Sequence, residues 1–208
     1  MANIILLNGC SSSGKTTLAE KLQQLLPEPY QHMALDQFRD GMPARVRGLN
    51  APAGSDGARG LNVVPAFIEG NPVTEIHFGD FGETVLRAMR RSAAELASTG
   101  IPVIVDDLLF KKAYLDDYVA VFDPESTWFV GVHCDLDIIN TREAKRVGRF
   151  PGTATAHYEL VHAHGHAYDL EVDTSHATPR KVAEEIIDRL QYPPTAFNKI
   201  ISLSLIHI

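Results

Sequence analysis

The run Gly9-Cys10-Ser11-Ser12-Ser13-Gly14-Lys15-Thr16 fits the pattern G-x-x-x-x-G-K-[ST] and comes directly after the apolar stretch Ile4-Ile5-Leu6-Leu7 and Asn8. The glycines permit backbone angles that turn successive N–H groups toward one anion. A helix behind the loop adds unpaired N–H groups and the positive end of its dipole. Within this pattern Lys15 reaches the β- and γ-phosphates of a nucleotide, and the Thr16 hydroxyl completes a magnesium shell. The expected nucleotide contacts are therefore Gly9, Cys10, Ser11, Ser12, Ser13, Gly14, Lys15, Thr16 and Thr17. A Ser/Gly helix cap without ligand is the bland alternative, and the strand before the loop with the helix after it argues against that reading.

The rest of the chain alternates strand and helix about five times. Asn3–Leu7, Gln31–Leu35, Ile101–Asp107, Ser126–Asp135 and Tyr168–Asp173 read as strands. Between and after them, helical spacing covers Leu18–Leu26, Glu83–Ser98, Lys111–Phe122, Asp137–Val147 and Pro179–Leu190. This predicts an α/β fold of the P-loop NTPase, nucleotide-kinase-like type, with a parallel sheet of about five strands flanked by helices. Such sheets bind ligands beyond the carboxyl ends of their strands, so the polar residues that follow strands define the expected site. Besides the loop these are Asp36, Asp106, Asp107, Cys134 and Asp135.

Composition supports a single ordinary domain. Of 208 residues 45% are apolar and 22% charged, enough for one core. A net charge of -7 argues against a general nucleic-acid or anionic-membrane partner, which would need a basic face. No stretch approaches the roughly 20 apolar residues of a membrane span. No basic segment with a long apolar run and cleavage site opens the chain. Two cysteines, Cys10 and Cys134, suit a reducing compartment, and the expected location is cytoplasmic. The domain is taken as 1–192, with 44–80 a substrate-side insertion poor in apolar anchors and 146–156 a lid. The tail, 193–208, is set apart as a candidate non-native end, because one back-translation of its LSLIHI resembles a transposase-end adaptor.

Two features choose among the uses of a phosphate loop. Asp36 follows the second strand, where a carboxylate can orient or deprotonate an acceptor hydroxyl, although Asp also favours helix N-caps. In "NTREAKRVGR", Arg142, Lys145, Arg146 and Arg149 gather positive charge where Gly148, Pro151 and Gly152 break a helix. A movable basic segment can close over a nucleotide, exclude water and neutralise charge on a transferred phosphoryl group. The alternative is a solvated basic helix end facing its own dipole. The expected catalytic set is Asp36, Lys15, Arg142 and Arg146, with Arg142 and Arg149 also on the nucleotide. Thr16 and Asp106 are the expected metal ligands, although strand alternation sends Asp106 and Asp107 opposite ways and leaves open which of the two faces the site and which is structural.

The segments NGCSSSGKTTLAEKLQQLLPEPY, LDQFRDGMP, VIVDDLLF, GVHCDLDIINTREAKRVGR and VHAHGHAYDLEVDT, in that order, resemble the chloramphenicol phosphotransferase family. The likeness spans most of Asn3–Leu190 and is weakest across Ala44–Val73. It implies a P-loop kinase that transfers the γ-phosphate of ATP, with Mg2+, to a hydroxyl of chloramphenicol or a related small molecule. It also implies a catalytic Asp36, nucleotide contacts at Gly14, Lys15 and Thr16, and lid arginines near Arg142, Arg146 and Arg149. Since Ala44–Val73 diverges, the acceptor stays open. Competing readings are a kinase of a sugar, nucleoside or sugar nucleotide, similar to zeta-toxin kinases, and a regulatory ATPase without an acceptor. The expected partners are a nucleotide and a small hydroxylated acceptor.

His157, His162, His164 and His166 raise the question of zinc. No neighbouring Cys or acidic pattern completes such a site, so a polar lid-adjacent helix is expected. A Cys10–Cys134 disulfide is likewise set aside in favour of buried free thiols.

Overall fold

The computed structural model describes residues 3–206 apart from Val147 and Arg149, with the side chains of 204–206 also outside it. The main sheet contains β1 (Ile4–Gly9), β2 (Gln31–Ala34), β6 (Val103–Asp107), β7 (Thr127–His133) and β8 (Leu170–Asp173). Their order is β2-β6-β1-β7-β8, all parallel.

Alternation along β1 splits the core in two. Ile5 and Leu7 pack with Leu18 and Leu22 of α1 (Lys15–Leu25) and with Val182 and Ile186 of α7 (Pro179–Arg189). Ile4 and Leu6 face the other way, into a cluster that holds Leu86 and Met89 of α3 (Asp80–Ser98) and Leu115 and Tyr118 of α4 (Lys112–Val119). All four β1 side chains are buried, and each contributes roughly 1.5–3 kcal/mol of transfer free energy. A strand buried on both faces reads as a continuous apolar run. Because β1 is central, its end, the phosphate loop, lies in the middle of the sheet's upper edge.

The stretch 44–80 is far more ordered than its composition suggests. After a 3-10 turn at Ala44–Val46 come β3 (Gly48–Leu49), β4 (Leu61–Ile68) and β5 (Asn71–Phe78), a second sheet in the order β3-β4-β5. The hairpin between β4 and β5 turns on Glu69 (φ 50°) and Gly70 (φ 81°). Two consecutive left-handed residues are what a tight hairpin needs. Pro65 and Pro72 sit within these strands, which is tolerated where a strand has free edges.

The tail also joins the fold. Ala196, Phe197 and Ile200 of α8 (Ala196–Ile206) are buried in the α3/α4 half of the core. The carboxylate of Asp169 accepts N–H groups from Thr195 (2.6 Å) and Ala196 (3.1 Å) at the start of that helix. Part of the segment 193–208 thus packs with the domain, against β7 and α4, while the suspected non-native LSLIHI concerns residues 203–208. Other boundaries move slightly: α3 begins at Asp80 rather than Glu83, and α5 (Leu136–Ala144) ends before Val147.

Candidate active site

The loop after β1 is shaped by close approach and backbone angle. A Cβ on Gly9 would lie 2.3 Å from the Val132 carbonyl oxygen of β7, so only glycine fits there. Ser12 (φ 62°) and Gly14 (φ 97°) adopt left-handed angles that turn the chain into α1. The helix start has no side-chain cap and no acid in its first turn. Its N–H groups and dipole are thus available to an anion. Lys15, nearly buried, donates to the carbonyls of Gly9 (2.9 Å) and Cys10 (3.0 Å) of its own loop.

The two acids at the end of β6 point to opposite sides. Thr16 Oγ1 donates to Asp106 Oδ2 at 2.6 Å, and Lys15 Nζ lies 3.6 Å from Asp106 Oδ1. Burial pushes the Asp106 carboxyl upward, but the charge of Lys15, with His32 and Thr16 beside it, outweighs burial and holds it below the usual range. Asp107 instead enters the core, where it accepts from Tyr118 Oη (2.7 Å) and the Leu108 N–H (2.7 Å). Arg90 Nε is 3.5 Å from it, and the Arg90 guanidinium lies over the Tyr114 ring.

Asp36 lies in the first turn of α2 (Leu35–Asp40), whose N-cap is Ala34, so the N-cap alternative does not describe it. Arg39 Nη1 donates to Asp36 Oδ1 at 2.6 Å, and Arg39 Nε to Asp40 Oδ1 at 2.9 Å. Asp36, Arg39, Lys15, Thr16 and Asp106 all line one cavity of about 700 Å³.

Arg142 and the lid are separate features. Arg142, on α5, donates through Nη2 to the Thr174 carbonyl (2.7 Å), and its Nη1 reaches the Ser13 carbonyl and Thr174 Oγ1 (both 3.4 Å). It is held to the phosphate loop and the end of β8, not carried on a movable segment. Arg146 lines the cavity beyond the end of α5, while Arg149 lies outside the described residues. The segment expected to form a lid contains α6 (Thr153–His157), seated by the buried carboxylate of Glu143, which accepts from Gly152 N (3.0 Å) and Ala154 N (2.9 Å). Thr74 of β5 donates to the Pro151 carbonyl at 2.9 Å, so this segment and the hairpin meet.

Three contacts escaped the sequence reading. His157 Nε2 accepts the Ser11 N–H of the phosphate loop at 3.2 Å. Asn8 donates to the Val161 carbonyl (2.6 Å) and the Tyr168 hydroxyl (2.7 Å), and accepts from Leu109 N (3.0 Å). His162 Nδ1 and His164 Nε2 converge on the same Tyr168 hydroxyl, at 2.6 and 2.8 Å. For the first two the sequence carries no local signal; His162 and Tyr168 do match the family's pattern, which implied support of the lid and not this shared hydroxyl. The expected polar helix is instead a short helix, a 3-10 turn and irregular chain. Among the described residues no cluster of three or more His, Cys, Asp or Glu is arranged to hold a metal. Cys10 and Cys134 are buried free thiols, and burial pushes the Cys10 thiol up to about 12.

A family model described as "Chloramphenicol phosphotransferase-like protein" matches residues 2–191. The chain belongs to that family. A protein of Mycobacterium tuberculosis (strain H37Rv), provisionally named an O-phosphotransferase, is 30% identical over 207 residues, covering 95% of this chain and 87% of the relative. Among solved structures, a sugar kinase from Janibacter sp. HTCC2649 superposes with a TM-score of 0.61 at 16% identity, covering 92% of this chain and 95% of that one. An APS kinase of Mycobacterium tuberculosis, solved with AMPPNP and APS, gives 0.60 at 18% identity, covering 92% and 98%. A gluconokinase from Sinorhizobium meliloti 1021 gives 0.60 at 19%, covering 91% and 92%. The fold is that of the P-loop kinases, and membership with these likenesses supports a kinase-like phosphotransferase. No helix among the described residues is long and apolar enough to cross a membrane.

Proposed function

We propose that this protein transfers the γ-phosphate of ATP to a hydroxyl of a small molecule, chloramphenicol or a related acceptor. The observation that carries the reading is that Asp36 and the Lys15–Thr16–Asp106 group line the same cavity. A carboxylate and a phosphate cradle facing one space is the arrangement that in-line transfer to a hydroxyl requires.

The residues fit the groups implied. Thr16 and Asp106 present hard oxygen donors side by side, as Mg2+ prefers, and the uncapped start of α1 fits a polyphosphate. Mg2+ when bound supplies charge neutralisation between the β- and γ-phosphates. The chain's own residues supply the rest. Lys15 exchanges its loop carbonyls for phosphate oxygens. Asp36, with Oδ1 held by Arg39, accepts the acceptor's proton at Oδ2. Arg142 keeps Ser13 and Thr174 together, and Arg146 faces the cavity as a cation for the transferred group. The lid helix, resting on Cys10 and Ser11 through Ala154 and His157, limits water entry.

The test is ADP release over a panel of hydroxylated antibiotics, sugars and nucleosides, with Asp36→Asn beside the native protein. Chloramphenicol-stimulated release should fall by about 10²–10⁴-fold in the variant, the range of a lost general base. Equal stimulation in both proteins would remove Asp36 from the chemistry, and release independent of every acceptor would favour a regulatory ATPase.

A further inference from the structure

Beyond the nucleotide loop, the cavity is walled by one face of the β4/β5 hairpin. Leu61 is paired directly with Phe78 and Val63 with Ile76, and these four side chains line the cavity. Two cross-strand apolar pairs on the same face make a flat surface of ring dimensions. It offers no hydrogen-bonding side chain, unlike a surface built for a free sugar.

The foot of this wall is held rigidly. Gly60 N donates to the Val46 carbonyl (2.8 Å) and Gly79 N to the Gly60 carbonyl (3.0 Å). Cβ atoms on Gly60 and Gly79 would fall 2.5 and 2.2 Å from the carbonyl oxygens of Val46 and Ala58. Close backbone packing of this kind fixes Arg47, the residue after Val46, beside the wall and on the cavity. Of the other arginines, Arg39 is held by Asp36 and Asp40, Arg59 by Asp80 and Arg142 by loop carbonyls, while Arg146 faces the cavity toward the transferred group. Among the described residues no carboxylate lies within ion-pair distance of Arg47. Arg47 and Arg146 are thus the two arginines on this cavity whose guanidinium has neither a carboxylate nor a carbonyl partner among the described residues, and Arg47 is the one beside the apolar wall.

We infer that the acceptor side takes an amphipathic anion, a hydroxylated molecule with an apolar, ring-sized body on the Leu61/Val63/Ile76/Phe78 wall and an acidic group, carboxylate, sulfate or phosphate, on Arg47. This rests on the reading that the hairpin side receives the acceptor. The charge is needed because the protein's net field repels anions and only a local guanidinium reverses it. Chloramphenicol, which has no acidic group, would use the wall alone and a related acceptor with an acid would use Arg47 as well, whereas a free sugar would strip water from its hydroxyls against an apolar wall.

The test needs no turnover. Protein saturated with ADP and Mg2+, so that the phosphate loop is filled, is titrated with two fluorescent probes of the same apolar body. These are 8-anilinonaphthalene-1-sulfonate and the uncharged N-phenyl-1-naphthylamine. The sulfonate should bind about 10-fold or more tighter, as one charge-assisted arginine contact supports. Arg47→Gln should abolish that preference while the neutral probe binds as before. Val63→Ser and Ile76→Ser, each checked for native thermal unfolding, should weaken both probes together. Equal binding of the two probes, binding of neither, or a preference that survives Arg47→Gln or follows Arg146→Gln instead would overturn the inference. Loss of acceptor-dependent ADP release in Asp36→Asn tests the phosphotransfer reading separately, so the two can fail independently. Where both hold, hydroxy acids, sulfates and phosphate esters are then compared as acceptors, to tell which acid group is taken.

Discussion

Arg39 Nη1 lies 2.6 Å from Asp36 Oδ1, while the same guanidinium holds Asp40 at 2.8 Å through Nη2. One cation thus spans two carboxylates of a short helix, both on the cavity, and restrains the rotamer of Asp36. Without it, two like charges on neighbouring faces of α2 repel, and the Asp36 carboxylate swings freely.

Replacing Arg39 with Met should lower acceptor-stimulated kcat by about 10–100-fold, since small misplacements of a catalytic group cost that much. ADP affinity, measured by calorimetry, should be unchanged because Arg39 makes no contact with the phosphate loop. Lys should restore part of the rate and Asp40→Asn should alter it little. An unchanged kcat in Arg39→Met would show that Asp36 needs no clamp.

Asp106 and Asp107 are adjacent in sequence and opposite in use, so their Asn variants should separate cleanly. Asp107→Asn leaves the Arg90 guanidinium in the core facing only Asp117, at 3.0 Å. Breaking a buried pair from one side costs about 3–5 kcal/mol, read as a lower urea midpoint. Asp106→Asn should unfold the protein far less and raise the Mg2+ concentration for half-maximal ADP release by about 10–100-fold. The reverse pattern would exchange their roles.

His162 and His164 meet at one hydroxyl, and burial, with neighbouring histidines adding to it, lowers each to about 4 from 6.5. A base whose folded pKa is depressed binds its proton more readily once unfolded. Stability is therefore complete above about 6.5 and is lost as pH falls toward 4, with a slope of up to about 1.4 kcal/mol per pH unit for each histidine. Thermal unfolding from pH 7 to 4 should show the loss, and His164→Gln should make it shallower. The geometry agrees: two protonated rings would both donate to the Tyr168 oxygen, which already accepts from Asn8 Nδ2 and has one lone pair left, so both cannot be satisfied.

Much of this architecture was legible because local signals coincide with global ones. Ile4–Leu7 is apolar at every position and therefore central, and a loop after a central strand needs both glycines and a helix behind it. Asp36 and Asp106 could be placed near the loop's end of the sheet because β6 runs parallel beside β1 and β2 parallel beside β6. What stayed hidden depends on pairing across long separations. The β4/β5 hairpin contains two prolines and turns on Glu-Gly, so neither strand nor turn looked typical. Arg142 was grouped with the lid because sequence shows a run of basic residues, whereas Thr174, 32 residues away, decides where it is held. His157 reaches Ser11 across 146 residues, with no local pattern to announce it.

The tail provides a sharp test of that same limit. Phe197 is fully buried against Phe122 and Phe129, and Leu203, by contrast, is half exposed. A chain ending after Pro194 loses Phe197 and Ile200 from the core and should be destabilised at least as much as Phe197→Ala, about 3–5 kcal/mol. A chain ending after Ser202 keeps both side chains and gives up, among the side chains described, only the half-exposed Leu203. It should retain its urea midpoint and its ADP release. If both truncations unfold at the same denaturant concentration as the whole chain, α8 adds nothing to the core. If the shorter cut alone, after Ser202, already destabilises, the last turn of α8 carries stability that the exposure of Leu203 does not reveal.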